Sequence, residues 1–118
     1  MKLRIQGKSL RLRLTQKDVA QLREWGSVES VVEFSPGQEL VYLLEGSFHA
    51  KSVTAAFDGQ TIRVTVPADV VTEWAESDQV SIEAPSQAGL HLLIEKDFQC
   101  LHGRGEQDRD AYAHPLMS

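Results

Sequence analysis

The first residues able to do chemistry are four basic side chains near the start of the chain: Lys2, Arg4, Arg11 and Arg13. They alternate with apolar residues in two runs separated by Gly7-Lys8. This dipeptide suits a two-residue hairpin turn, because glycine tolerates a positive φ. The turn would place Arg4 across from Arg11 and Lys2 across from Arg13, on the face away from the leucines. Like charges directly opposite one another are destabilising, so a compensating group is expected.

Two kinds of compensation are open for these cations. In the first, solvent and neighbouring carboxylates neutralise them, the candidates being Glu33, Glu45, Glu83 and Glu95. In the second, the cations bind phosphate, a nucleotide or an acidic peptide, since charged donors form strong hydrogen bonds with such anions. Arg63 occupies the position of Arg11 in a second predicted hairpin and joins the hypothetical anion-binding set.

A second group of chemically capable residues lies near the end of the chain. Cys100 and His102 are two residues apart, and Asp108, Asp110 and His114 follow. Zinc accepts thiolate, imidazole and carboxylate ligands. The spacing is not that of a zinc finger, and a lone cysteine is more often a small buried hydrophobe. We therefore expect no cofactor and a buried Cys100, and zinc bound by Cys100 and His102 is the alternative.

Composition and charge narrow the possible classes of protein. The chain has 118 residues, 42% of them hydrophobic and 25% charged, as expected of one folded domain. No apolar run approaches the ~20 residues that span a bilayer, and no secretory pattern opens the chain, so we expect a cytoplasmic protein without membrane contact. The net charge is −5 although residues 1–23 are basic, and the acidic remainder disfavours nucleic acid as a partner.

The elements that must position these residues occur twice in the same order. Thr15 and Asp18 predict the start of a helix over residues 15–25, and Pro67 predicts a second helix over 67–76. Each helix is flanked by two predicted strands on either side. The remaining strands are predicted near Val28–Phe34, Glu39–Glu45, Ser52–Phe57, Thr61–Val66, Gln79–Glu83 and Leu90–Glu95. Trp25 and Trp74, at the helix ends, are expected to be core residues.

The two halves also match at residue level. Residues 7–14 align with residues 59–66, and residues 40–45 align with 90–95. One ββαββ unit has a single apolar sheet face with too little chain to cover it, whereas two units cover each other. We therefore predict an α+β fold, mainly antiparallel, built from a duplicated ββαββ unit with two helices. It forms an eight-stranded barrel or a two-layer sandwich, and we favour a closed or nearly closed barrel.

The domain boundaries follow from this repeat. Residues 1–96 are predicted to form a single domain of two repeats, at about 2–46 and 52–95. Residues 97–118 are rich in charge and glycine and are predicted to be a partly ordered tail.

Two resemblances add to these predictions. The segments KLRIQGKSLRLRLTQKDVAQL and LLIEKDFQCLH, with HPL near the end, resemble a bacterial protein family of unknown function over nearly the whole chain. Its Cys-Leu-His run is similar to residues 100–102, whereas residues 114–116 depart from the expected Asn-Pro-Leu. The family has no assigned activity, so the resemblance implies no catalytic residue.

The second resemblance concerns architecture. A repeat that starts at Ser9 has the order β-α-β-β-β and resembles the duplicated unit of the CYTH-like triphosphate-tunnel barrels. Those enzymes carry a Glu-x-Glu-x-Lys metal motif on their first strand, but residues 2–6 are Lys-Leu-Arg-Ile-Gln here. The likeness therefore implies a related fold without the metal-binding carboxylates.

The sequence favours a non-enzymatic binding or interaction module. It would recognise a small anion or an acidic partner protein through Lys2, Arg4, Arg11 and Arg13. The alternative is a metal-dependent or phosphate-processing barrel enzyme. The chain contains neither a GxSxG motif nor a phosphate-binding glycine-rich loop to favour that alternative.

Overall fold

The computed structural model describes residues 1–85 and 89–97. The helices are α1 (Gln16–Trp25) and α2 (Ala68–Glu76). The strands are β1 (Lys2–Gln6), β2 (Ser9–Leu14), β3 (Ser27–Ser35), β4 (Gln38–Ser47), β5 (Thr54–Asp58), β6 (Thr61–Pro67), β7 (Ser81–Pro85) and β8 (His91–Lys96). Both predicted helices and the predicted order of strands are confirmed.

Helix α1 begins and ends at residues whose side chains or backbone freedom suit those positions. The Thr15 hydroxyl accepts from the backbone N–H of Asp18, and the Asp18 carboxylate accepts from the backbone N–H of Thr15, which completes a capping box. Gly26 ends the helix at φ 85°, and its N–H donates to the carbonyl of Leu22. A left-handed conformation at this position is easiest for glycine.

The strands form two four-stranded sheets. The first sheet has the order β1-β2-β8-β7, and the second has the order β3-β4-β6-β5. Each sheet therefore joins a hairpin from the first half of the chain to a hairpin from the second half. The pairs β2–β8 and β4–β6 are parallel and all other pairs are antiparallel, so the α+β class and the mainly antiparallel arrangement are confirmed.

The described residues form no closed barrel, so the closure that we favoured from the sequence is not found. The two inner strands of each sheet pair with each other in parallel, and within residues 1–85 and 89–97 the edges are β1, β7, β3 and β5. Alternation along a strand shows which side chains share a face, but it does not show whether an edge strand meets another edge. The sequence therefore predicted the strands better than their closure.

One hydrophobic core lies between these elements. It combines side chains of both sheets and both helices. Its most deeply buried members are Leu12, Leu14, Leu22, Leu44, Val64, Val66, Trp74, Leu92 and Ile94. Trp74 is fully buried, and its indole Nε1 donates to the carbonyl of Val80 at 3.0 Å. Trp25 is 74% exposed, so the expectation that it is a core residue was wrong. The buried side of α1 ends at Leu22, one turn earlier.

The two sheets also share their pairing pattern. In the first sheet Lys2 pairs with Arg13 and Ser9 with His91. In the second, Thr54 pairs with Thr65 and Thr61 with Val41, which are the corresponding positions of the sequence alignment. Neither helix among the described residues is long and apolar enough to cross a membrane.

Candidate functional site: a basic face on the first sheet

The opening hairpin has the register predicted from the sequence. Lys2 pairs with Arg13 and Arg4 with Arg11. The leucines at positions 10, 12 and 14 are buried in the core, so the basic residues of β2 face outward. We call the outward side of this hairpin, formed by Lys2, Arg4, Arg11 and Arg13, the basic face.

The basic face forms an open cavity. The same four cations and Leu3 line a volume of about 280 Å³. Among the described strands β1 is an edge of the first sheet, so this cavity lies on the side of the sheet where its strand order ends. Four cationic residues thus border one open space, and charged donors of this kind form strong hydrogen bonds with carboxylate and phosphate groups.

The carboxylate of a single glutamate lies within ion-pair distance of two of the arginines. Glu95 lies on β8, beside β2, in direct register with Arg13. Its Oε2 accepts from Nε of Arg13 at 3.0 Å and from Nη2 at 2.9 Å, and it lies 3.7 Å from Nε of Arg11. The carboxylate is mostly buried while both guanidinium groups are more exposed. Glu95 therefore anchors the two arginines without neutralising both.

The remaining cations of the basic face differ in their surroundings. Lys2 Nζ lies 3.8 Å from the carboxylate of Asp97. Arg4 is exposed, and its side chain has no ion pair or hydrogen bond within residues 1–85 and 89–97. Glu95 thus lies near two of the four cations and Asp97 near a third, whereas the Arg4 side chain has no ion-pair partner among the described residues.

Arg63 is not brought to the basic face. It lies on β6, in the second sheet, and its Nη1 is 3.3 Å from Oε1 of Glu45. The hydroxyl of Thr65 donates to the other oxygen of Glu45 at 3.0 Å. The pair of Glu45 with Arg63 is equivalent to the pair of Glu95 with Arg11. In both pairs the glutamate lies on the strand that runs parallel beside the strand of the arginine.

The predicted carboxylate partners therefore have separate roles. Glu45 and Glu95 form ion pairs with arginines, as one interpretation of the sequence expected. Glu83 lies 2.9 Å from Nε2 of His91 on the same sheet. Glu33 lies on β3 in the other sheet, where it cannot compensate the basic face. Anion binding by Lys2, Arg4, Arg11, Arg13 and Arg63 stays a prediction.

Asp18 carries a pKa shift near the same hairpin. Burial raises the pKa of its carboxyl, but hydrogen bonds from the N-terminal ammonium and from Thr15, together with the ammonium's charge, outweigh burial and lower the pKa below its ordinary value. The ammonium nitrogen of Met1 lies 2.9 Å from Oδ2. The sequence indicated the capping interaction of Thr15 with Asp18. It did not indicate the ion pair with the Met1 ammonium, because that contact depends on the pairing of β1 with β2, which brings Met1 close to α1.

We expect Asp18→Asn to lower the free energy of unfolding at neutral pH by about 1 kcal/mol, because it removes a negative charge from the first turn of α1 and its ion pair with the ammonium of Met1. Because the folded pKa is depressed, the carboxylate stabilises the fold above its unfolded pKa of about 3.9, and this stabilisation is lost as pH falls through the folded pKa. Urea denaturation at several pH values measures both effects. Asp69→Asn is the matched control, because α2 has no side-chain cap bond. Equal losses in both variants would contradict this assignment.

The predicted metal ligands Cys100 and His102 lie outside the described residues, as does the expected burial of Cys100. Among residues 1–85 and 89–97, no group of three or more His, Cys, Asp or Glu side chains is placed to hold a metal ion. Zinc binding at Cys100 and His102 stays a prediction.

The described residues define a small α+β protein with two mixed four-stranded sheets, one shared core and a basic face on the first sheet. The chain belongs to a family of unknown function, DUF7009, whose model matches residues 1–116. This agrees with the resemblance to a family of unknown function noted from the sequence. No curated protein and no solved structure matches the chain.

Proposed function

We propose that the chain is a non-enzymatic binding module whose basic face recognises a small anion or an acidic segment of a partner protein. The observation that supports this proposal is the grouping of Lys2, Arg4, Arg11 and Arg13 around one open cavity. Arg4 in particular is exposed and has no side-chain partner in the described part of the chain. A carboxylate placed between Arg4 and Arg11 would relieve the repulsion of two guanidinium groups held across from each other.

An acidic peptide suits the surface better than nucleic acid does. The chain as a whole carries a net charge of −5, which repels an extended polyanion over most of its surface. The excess of positive charge is local to the basic face. A short segment with a few carboxylates meets that excess without lying over the acidic remainder.

No contact among the described residues favours the alternative enzyme. The cavity is lined by four cations and Leu3, a set without a carboxylate to serve as a general base. The basic residues lie on the outer side of the first sheet, away from the core between the sheets. They therefore give no support to a tunnel like that of the triphosphate enzymes.

Titration with a fluorescent Glu-rich peptide tests the proposal. We expect saturable binding that weakens roughly tenfold or more when salt is raised from 0.02 M to about 0.5 M, because exposed charges are then screened. Glu95→Gln should tighten binding several-fold, since it removes the carboxylate that competes for Arg11 and Arg13.

Glu83→Gln is the control for this titration, because Glu83 lies on the same sheet but contacts His91 instead of the arginines. It should bind the peptide about as the wild type does. A Gln-rich peptide of the same length controls for charge and should not bind. Equal binding of both peptides, or weaker binding by Glu95→Gln, would contradict the proposal.

We also infer that the two halves arose by duplication. The shared registers of the two sheets support this inference. Residues of β1 and β2 occupy the same places as the residues 52 positions later in β5 and β6. Residues of β4 occupy the same places as the residues 50 positions later in β8. Superposition of residues 2–46 on 54–95 tests it, and a failure to superpose both hairpins and the helix at once would refute common ancestry.

A further inference from the structure

Two edge strands carry opposite charges on their outward sides. On β1, which is an edge of the first sheet in the part of the chain that the structure describes, Lys2 and Arg4 face outward. On β3, at the edge of the second sheet, Val28 is buried, and the alternating positions Glu29, Val31 and Glu33 face outward. An edge strand presents unpaired backbone N–H and C=O groups that another strand can bind.

Each edge strand also carries a repulsive pair of its own. Arg4 lies across from Arg11 on β2, and Glu33 lies across from Glu39 on β4. Neither Glu33 nor Glu39 forms an ion pair within the residues that the structure describes. Like charges directly opposite destabilise a strand pair, so each edge gains from a strand of the opposite charge.

The inward sides of the two edges are apolar and incompletely covered. Ile5 on β1 is 57% exposed, and Leu3 beside it is half-buried. Val32 on β3 is 40% exposed and lies across from Leu40, on the core side of its sheet. The two edges thus match on both sides, apolar with apolar and basic with acidic.

We propose that β1 of one copy of the chain adds antiparallel to β3 of a second copy. This inference rests on the proposed function, since it names the acidic segment that the basic face binds. Pairing residues 2–6 with residues 29–33 places Lys2 across from Glu33 and Leu3 across from Val32. Arg4 then lies across from Val31, within diagonal reach of both glutamates.

Charge selects this pairing over the two pairings of identical edges. Antiparallel β3 with β3 across a two-fold axis at Val31 would set Glu29 against Glu33. Antiparallel β1 with β1 about its central residue would set Arg4 against Arg4. Both arrangements oppose like charges, whereas β1 with β3 opposes unlike ones.

The proposed contact is small, so we expect the association of copies to be weak. It can also add further copies in a row, because a pair of copies keeps one unused surface of each kind. Five residues on each side bury far less than the ~1,200 Å² of a stable interface, so we expect it at high protein concentration and low salt. The shift of register between Glu33 and Ser35 ends the regular part of β3 and limits the pairing to the residues before it. Because the two surfaces differ, the contact is head-to-tail.

Sedimentation velocity of the full chain over a range of concentrations tests the inference. The wild type should show an average mass that rises with concentration in low salt and returns to the monomer value at about 0.5 M salt. Arg4→Glu and Glu33→Lys should each weaken association roughly tenfold or more. An equimolar mixture of the two variants should associate again, because their altered edges are complementary. Glu83→Lys, on an edge strand outside the proposed contact, should behave as the wild type.

The same variants separate this inference from the proposed function. Glu33→Lys leaves the basic face intact, so it should bind the Glu-rich peptide as the wild type does while it fails to self-associate. Unchanged self-association of Glu33→Lys, or no recovery in the mixture, would overturn the pairing of β1 with β3 and leave peptide binding standing. Loss of peptide binding in Glu33→Lys would count against the basic face itself.

Discussion

Replacement of Trp74 by alanine is expected to lower the free energy of unfolding by about 3–5 kcal/mol, the range for truncating a large buried aromatic residue. Trp74 is fully buried in the core that the sheets and helices share. Its Nε1 donates to the carbonyl of Val80, which the truncation leaves without this donor. The ammonium of Lys96 lies 5.6 Å from the ring centre, and this cation–π contact is lost as well. Chemical denaturation followed by circular dichroism measures the change.

Trp25→Ala is the matched control for Trp74→Ala. The two tryptophans lie near the ends of the two helices, but Trp25 is 74% exposed. Its truncation should change the free energy of unfolding by no more than about 0.5 kcal/mol. A loss of unfolding free energy in Trp25→Ala as large as that in Trp74→Ala would contradict the exposed position of Trp25 at the end of α1.

Reversal of two charges on the basic face is expected to abolish binding of an acidic peptide. Arg4→Glu with Arg11→Glu replaces two cations that lie across from each other, and that both line the cavity, by two carboxylates. We expect affinity for the Glu-rich peptide to fall roughly a hundredfold or more, because attraction becomes repulsion at two adjacent positions. Fluorescence titration measures the affinity, and far-ultraviolet circular dichroism shows whether the variant keeps its secondary structure.

Arg63→Glu is the control for that double variant. Arg63 has the same place in its hairpin as Arg11 and also pairs with a glutamate on the parallel neighbour strand. It lies on the second sheet, away from the cavity, so its reversal should leave peptide binding within about twofold of the wild type. An equal loss in Arg63→Glu would mean that net charge, and not the basic face, controls binding.

Local features of the fold follow directly from the sequence. Alternation of leucine with arginine around Gly7 predicted the register of the first hairpin, because a two-residue turn fixes which residues lie opposite. Thr15 and Asp18 predicted the start of α1, since their side chains satisfy its first backbone N–H groups. These are interactions between residues close in the chain, and the structure confirms them.

Long-range pairing did not follow from the sequence. Nothing in the alternation of β2 shows that its second neighbour is β8, or that the two run parallel. The pairing of β2 with β8 places Glu95 beside Arg13. Because this pairing could not be predicted, the sequence left four glutamates as candidate partners of the cations. The same long-range pairing decides between two separate sheets and the closed barrel that we favoured, and the described strands form two sheets.

Mapping the bound peptide by nuclear magnetic resonance tests the central claim most directly. The isotope-labelled full chain is titrated with the Glu-rich peptide, and the shift of each backbone amide is followed. Binding at the basic face predicts that the largest changes fall in β1, in β2 and at Glu95, with little change in β5 and β6 around Arg63. Changes spread evenly over the surface, or concentrated on the second sheet, would contradict the claim that the basic face is the binding site.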